Sequence, residues 1–260
     1  MILNDLGAEY CSYCFLERRS DKLESGMTNS FYEKHLFQTG GREMKTLNVS
    51  CMECDIYRCR TPGVKEPWPE KCPRKNYPGI FKKVIGNNRR DPRVRKVNMA
   101  CEETLRRGYD PRESVYTWSR VKELIEYARV LRYKKIGIAG CIGLIDESKI
   151  LGKILTDAGF QVSLINCMAG ATTRSAIGLK ERKEASSPFA CNPLFQAEVL
   201  NKEKTDLNVM VGLCLGHDIL FIKKSKADVT PLIVKDRITG HNPVAALYTS
   251  KTYYKNRFPK

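Results

Sequence analysis

The stretch KKIGIAGCIGLIDE, residues 134–147, decides the fold. Lys135–Gly140 is a short apolar run bounded by charge on one side and Cys141 on the other, which reads as a buried strand. Asp146–Ala158 follows as a helix, with Ile150, Leu151, Ile154, Leu155 and Ala158 on one face, and Gly159 stops it. The same unit recurs downstream. Phe160–Asn166 reads as a second strand, and Asn192-Pro193 opens a helix over Leu194–Lys204. Leu207–Leu213 reads as a third strand, Asp218–Lys224 as a helical turn or short helix, and Pro231–Val234 as a fourth strand. His241-Asn242-Pro243 opens a terminal helix over Val244–Tyr248. Strands alternating with helices imply a parallel sheet with right-handed crossovers. The expected class is α/β, a Rossmann-like parallel sheet layer domain over residues 110–260.

Upstream the pattern weakens. Asp110-Pro111 reads as a helix start, with Val115, Trp118, Val121, Leu124, Ile125, Ala128 and Leu131 at helical spacing behind it. Residues 81–109 read as a basic connector. Residues 51–80 are rich in Cys, Pro and Lys, bury little apolar surface, and call for a staple such as a metal. Residues 1–50 are an N-terminal extension. Met44 opens a credible protein start, so residues 1–43 are either an extension or a product of start-codon choice.

Of 260 residues 11 are cysteine. An odd count in a chain of this length fits a secreted disulfide framework poorly. The first residues lack the basic and apolar regions of a signal peptide, and no apolar run is long enough to span a bilayer. Reduced thiols in a cytoplasm and no membrane partner are therefore expected. Net charge is +16. It is spread out, with 27 Lys+Arg against 18 Asp+Glu in residues 1–134 and 18 against 11 in residues 135–260. The densest stretch, Lys82–Lys96, reads as a solvated linker or a phosphate-binding strip. Nucleic acid is a possible partner that this spread does not favour.

Cys51-Met-Glu-Cys54, Cys59 and Cys72 form a thiol set suited to a tetrahedral S4 site for zinc or an iron–sulfur cluster. The 12 residues between Cys59 and Cys72 include Pro62, Pro67 and Pro69 and can wrap an ion. Cys11 and Cys14 form another doublet. It either pairs with Cys51 and Cys54 across a 36-residue gap, stands as a partial site, or is idle.

The second set is Cys141, Cys167 and Cys214 at three strand ends and Cys191 just before a helix start. In an open parallel sheet the strand carboxyl ends face one crevice, where ligands bind. These four are the expected cofactor-binding residues. His217 and Asp218 follow Cys214, and Asp236 and His241 follow the last strand; these are the candidate catalytic residues, the imidazoles as proton carriers and the carboxylates orienting them. Gly137, Gly140 and Gly143 do not make a dinucleotide fingerprint, so no NAD is expected. Cys101 reads as core filler.

Three stretches carry a family resemblance: CNPLFQAEVLN (Cys191–Asn201), TDLNVMVGLCLGHD (Thr205–Asp218) and VKDRITGHNPVAALY (Val234–Tyr248). Together with Lys134–Glu147 and the Cys51–Cys72 cluster, they resemble a family of prokaryotic domains of unknown function described as metal-binding proteins. The likeness covers roughly residues 51–250, and Cys11 and Cys14 inherit nothing from it. It implies metal binding and a cytoplasmic prokaryotic protein, and supplies no reaction. The resulting expectation is a redox or sulfur-handling enzyme that holds an iron–sulfur cluster or zinc, with an unknown substrate or electron partner. The alternative is a non-catalytic zinc-stapled module that binds nucleic acid or an acidic partner.

Overall fold

The computed structural model describes residues 47–52, 54, 59, 67–181 and 187–258, so Cys11, Cys14 and the proposed extension lie outside the described residues. The chain divides into two units, residues 1–95 and 96–260.

In the first unit the described elements are two helices, α1 (Pro73–Asn76) and α2 (Pro78–Arg90), and the start of α3 (Pro92–Gly108). Each of the three begins on a proline. A ring-locked φ suits the first helical position, where the missing N–H costs no bond. The stretch read as a connector is thus helical. Its apolar residues are interrupted by charge and neither α1 nor α2 has a buried residue, so the sequence shows no core-facing stripe there.

In the second unit a hairpin with a loop over residues 111–114 joins β1 (Tyr109–Asp110) to β2 (Val115–Tyr116). Asp110 is therefore in a strand, not at a helix cap. The helix α4 (Arg120–Val130) starts later, where the Ser119 hydroxyl accepts the Lys122 N–H. From there the expected alternation holds: β3 (Lys135–Gly140), α5 (Ile145–Asp157), β4 (Gln161–Asn166), α6 (Pro193–Glu203), β5 (Leu207–Val211), α7 (Leu215–Lys224), β6 (Asp228–Ile233) and α8 (Pro243–Tyr248).

The sheet is fully parallel, in the order β4-β3-β5-β6. Its two faces are chemically distinct. Ile136, Ile138, Leu207, Val209 and Val211 point one way and pack with Leu124, Ile125 and Ala128 of α4 and Leu151 and Leu155 of α5. Ala139 and Met210 point the other way, against Ala197 and Leu200 of α6 and Phe221 of α7. Small residues on β3 let α6 approach closely; a side chain at Gly137 would run into Leu200 and Asn208. The mixed α/β fold with a parallel sheet flanked by helices is the one expected. The chain leaves β3 for β4 on one side and returns to β5 on the other, so its direction of winding changes at β3. Ligand crevices in open α/β sheets open at such a point, beyond the strand carboxyl ends.

Candidate functional site

Register brings the first two thiols together. Gly140 is paired with Asn166, so Cys141 and Cys167 are the next residues along neighbouring strands. The ladder continues through them: the Cys167 N–H donates to the Gly140 carbonyl at 2.9 Å and the Cys141 N–H to Val211 at 3.0 Å. Both are buried. A third thiol is tied in by the backbone, since the Asn192 N–H donates to the Cys167 carbonyl at 2.8 Å. Asn192 also caps α6, its Oδ1 accepting the Phe195 N–H at 3.0 Å, and its Nδ2 lies 3.2 Å from Thr172 Oγ1. Half-buried Cys191 is thereby held at the head of α6. Cys214 stands at the head of α7, three residues past β5.

Electropositive groups face these sulfurs. The Ile142 N–H donates to Cys167 Sγ at 3.3 Å and the Gly143 N–H to Cys141 Sγ at 3.4 Å. Lys235 Nζ lies 2.7 Å from Cys141 Sγ, and the Arg237 guanidinium 3.3 Å from Cys214 Sγ. Both cations come from one loop after β6. That loop is fastened by two of the predicted catalytic residues. Asp236 Oδ1 accepts the N–H groups of Ile238 and Thr239 at 2.9 and 3.0 Å. The Asp236 N–H donates to His241 Nδ1 at 3.0 Å, and the His241 N–H returns to the Asp236 carbonyl at 2.8 Å. His241 takes a left-handed φ of 66° to do so, next to Gly240. Nδ1 as acceptor leaves the ring proton on Nε2. Asp236 and His241 thus aim Lys235 and Arg237.

His217 and Asp218 occupy the first turn of α7. Burial pushes the His217 imidazole down, against a smaller opposing effect of Cys141. Burial also pushes the Asp218 carboxyl up. The thiols differ among themselves. The neighbouring Cys167, with burial, pushes Cys141 up to about 12, although Lys235 and the Gly143 amide oppose this. Cys167 is drawn down by Cys141 but raised more by Cys191 and burial. Cys191 is lowered, because the Cys167 thiol supports its negative charge and Lys235 adds to that support, against burial. Of these three thiols only Cys191 is shifted toward easier ionisation.

Gln196 of α6 is fully buried beneath this group. Its Nε2 donates to the carbonyls of Gly140 at 3.1 Å and Ile165 at 2.8 Å, fixing the ends of β3 and β4 that carry Cys141 and Cys167. Its Oε1 has no hydrogen-bond partner among the described residues.

The structure brings Cys141, Cys167, Cys191 and Cys214 to the carboxyl end of the sheet. It places Cys51, Cys54, Cys59 and Cys72 in the other unit, around a single cavity. Cys101 is exposed on α3, not in the core. Among the described residues no three Cys, His, Asp or Glu side chains stand at coordination spacing, and no helix is long and apolar enough to cross a membrane. Sequence reading missed Lys235 and Arg237 as sulfur partners, and Gln196 altogether. The only signal for the cations was their position directly after the last strand.

A family model for a protein of unknown function, DUF1847, matches residues 72–232, more than half of the chain. An uncharacterized protein of the archaeon Methanocaldococcus jannaschii, MJ0455, is 48% identical over 137 residues, covering 53% of this chain and 70% of its own. The matched family region contains all four strand-end cysteines. It ends before Lys235 and begins after Cys51, Cys54 and Cys59.

Proposed function

We propose, for a chain that belongs to the family of proteins of unknown function DUF1847, that the strand-end thiols form a redox or sulfur-handling site. One observation supports this reading: four cysteines from four separate segments stand at the carboxyl end of a parallel sheet, near its winding reversal, and two amides and two cations are directed at Cys141, Cys167 and Cys214. Thiolates are the reactive form of cysteine, and electropositive surroundings favour them.

Cys191 is the attacking group, being the half-exposed thiol with the lowered pKa. Attack on a low-molecular-weight disulfide forms a mixed disulfide at Cys191 and releases one thiolate. Cys167 then attacks the Cys191 sulfur and releases the second, so two protein thiols are oxidised and the small disulfide is reduced to two thiols. The proton that Cys167 gives up passes to the departing thiolate, which leaves as a thiol. Lys235 supports negative charge on the attacking Cys191 sulfur.

A second reading is favoured by charge. The same four cysteines are a donor set for zinc or an iron–sulfur cluster. Four thiolates on a divalent ion, or on a 2+ cluster core, leave two negative charges, and the loop brings two positive ones. Such a centre would supply electron transfer or Lewis acidity, with Cys141, Cys167, Cys191 and Cys214 as its ligands.

Protein purified without oxygen separates the two. A Cys167–Cys191 disulfide found by peptide mass mapping after treatment with a small disulfide, and lost in Cys191→Ser, supports the exchange reading. About four iron with matching sulfide per chain, lost when Cys141 or Cys214 is changed to Ser, supports the cluster. A chain that shows neither reaction nor metal at these residues overturns both.

A further inference from the structure

The geometry points to a second and separate site: a structural zinc ion in the first unit, held by Cys51, Cys54, Cys59 and Cys72. Two independent observations meet here. The first is placement. The four cysteines line one cavity of about 220 Å³, together with Trp68 and Arg74. The Cys54 N–H donates to the Cys51 carbonyl at 3.2 Å, closing a turn that sets both thiols of the doublet on one side. The Ser50 N–H donates to the Lys71 carbonyl at 3.0 Å, which sets that turn beside Cys72. The Cys72 position is fixed in turn by Asn76, whose Nδ2 donates to the carbonyls of Glu70 at 2.7 Å and Cys72 at 2.9 Å.

The second observation is the lack of a core among the described residues of this unit. None of the described residues before Ala100 is buried. The aromatic rings near the cavity are used to sandwich a cation, with the Arg74 guanidinium 4.6 Å from the Trp68 ring and 4.7 Å from the Phe81 ring. A segment without a core folds on a metal or a disulfide. All four of these cysteines are free thiols.

Tetrahedral S4 coordination with a two-residue spacer in one doublet is the structural zinc pattern. Zinc fits better than a cluster because Cys51 and Cys59 are exposed, and zinc has no redox chemistry for oxidants to attack. The sulfurs stand short of coordination spacing. Closing that distance is the folding step that metal binding drives.

The test uses the full chain, reduced and loaded with zinc, with metal counted after exposure to a weak chelator. One zinc per chain remains in the parent and in Cys191→Ser, and is lost in the double variant Cys51→Ser, Cys72→Ser. Cys54→His keeps a zinc donor and retains the ion. Cobalt in place of zinc gives thiolate charge-transfer and tetrahedral d–d absorption that the double variant lacks, and protease cleavage within residues 47–95 rises when zinc is stripped. Iron with sulfide in place of zinc, zinc that follows Cys191 instead of Cys51 and Cys72, or no uptake by the reduced parent would each overturn the assignment. Disulfide exchange at Cys191 is read separately on the same variants, so failure of one site leaves the other standing.

Discussion

Cys141 and Cys191 share one crevice yet are pushed to opposite sides of the ordinary thiol value. The difference is positional: Cys141 is buried and gives its proton toward Cys167, while half-buried Cys191 receives support from Cys167 and Lys235. Alkylation of native protein is therefore expected at Cys191 before Cys141 or Cys167, with a rate midpoint below pH 9.0, as mass mapping across a pH series would record. Lys235→Met removes the cation beside Cys141 and within reach of Cys191. It should move that midpoint upward; an unmoved midpoint would show that Lys235 does not act on the thiols. Cys141 also sets a stability window. Its pKa is raised in the fold, so its contribution is fully present below 9.0 and is lost as pH rises toward about 12. Denaturant midpoints should fall across that range, and fall less in Cys141→Ala.

At the scale of elements, α6 has a double role. Its cap Asn192 starts the helix, binds Thr172, and through its backbone ties Cys191 to Cys167. Loss of such a cap costs about 1 kcal/mol. Asn192→Ala should lower unfolding free energy by that order and slow alkylation of Cys191 relative to Cys214; equal slowing of both would point to general loosening. The elements from β3 onward were legible because buried strands and one-sided helices alternate with turn residues. The region before them was not. Helices α1 and α2 bury no residue, so no apolar stripe marks them. Asp110-Pro111 imitates a helix start but sits at a hairpin, and the real cap, Ser119 with acidic Glu123 in the first turn, was passed over. The site was legible to the same extent. Thiols are few, and their places at strand ends could be read. Lys and Arg number 45, so only their place just after the last strand separates the two that turn toward sulfur from the others.

Across the whole molecule the charge of +16 is distributed and belongs to no single groove. Charge of this kind gives non-specific, counterion-driven attraction to polyanions. Retention of the chain by RNA should fall steeply as salt is raised, show no sequence preference, and be the same in Cys191→Ser. A sequence-selective complex that survives physiological salt would instead favour the binding-module alternative.

The pairing of Lys235 with Cys141 spans 94 residues. A chain emerging from the ribosome therefore exposes Cys141 before either cation exists to face it. The nascent sheet would carry a bare, unmatched sulfur, and the site would gain its electrostatic character only as the last segment is synthesised. A chain cut just after Ile233 would keep every strand and every one of the strand-end thiols. It would lose both positive charges at once, which makes the carboxyl-terminal segment the part that matures the site, though it holds none of the sulfur.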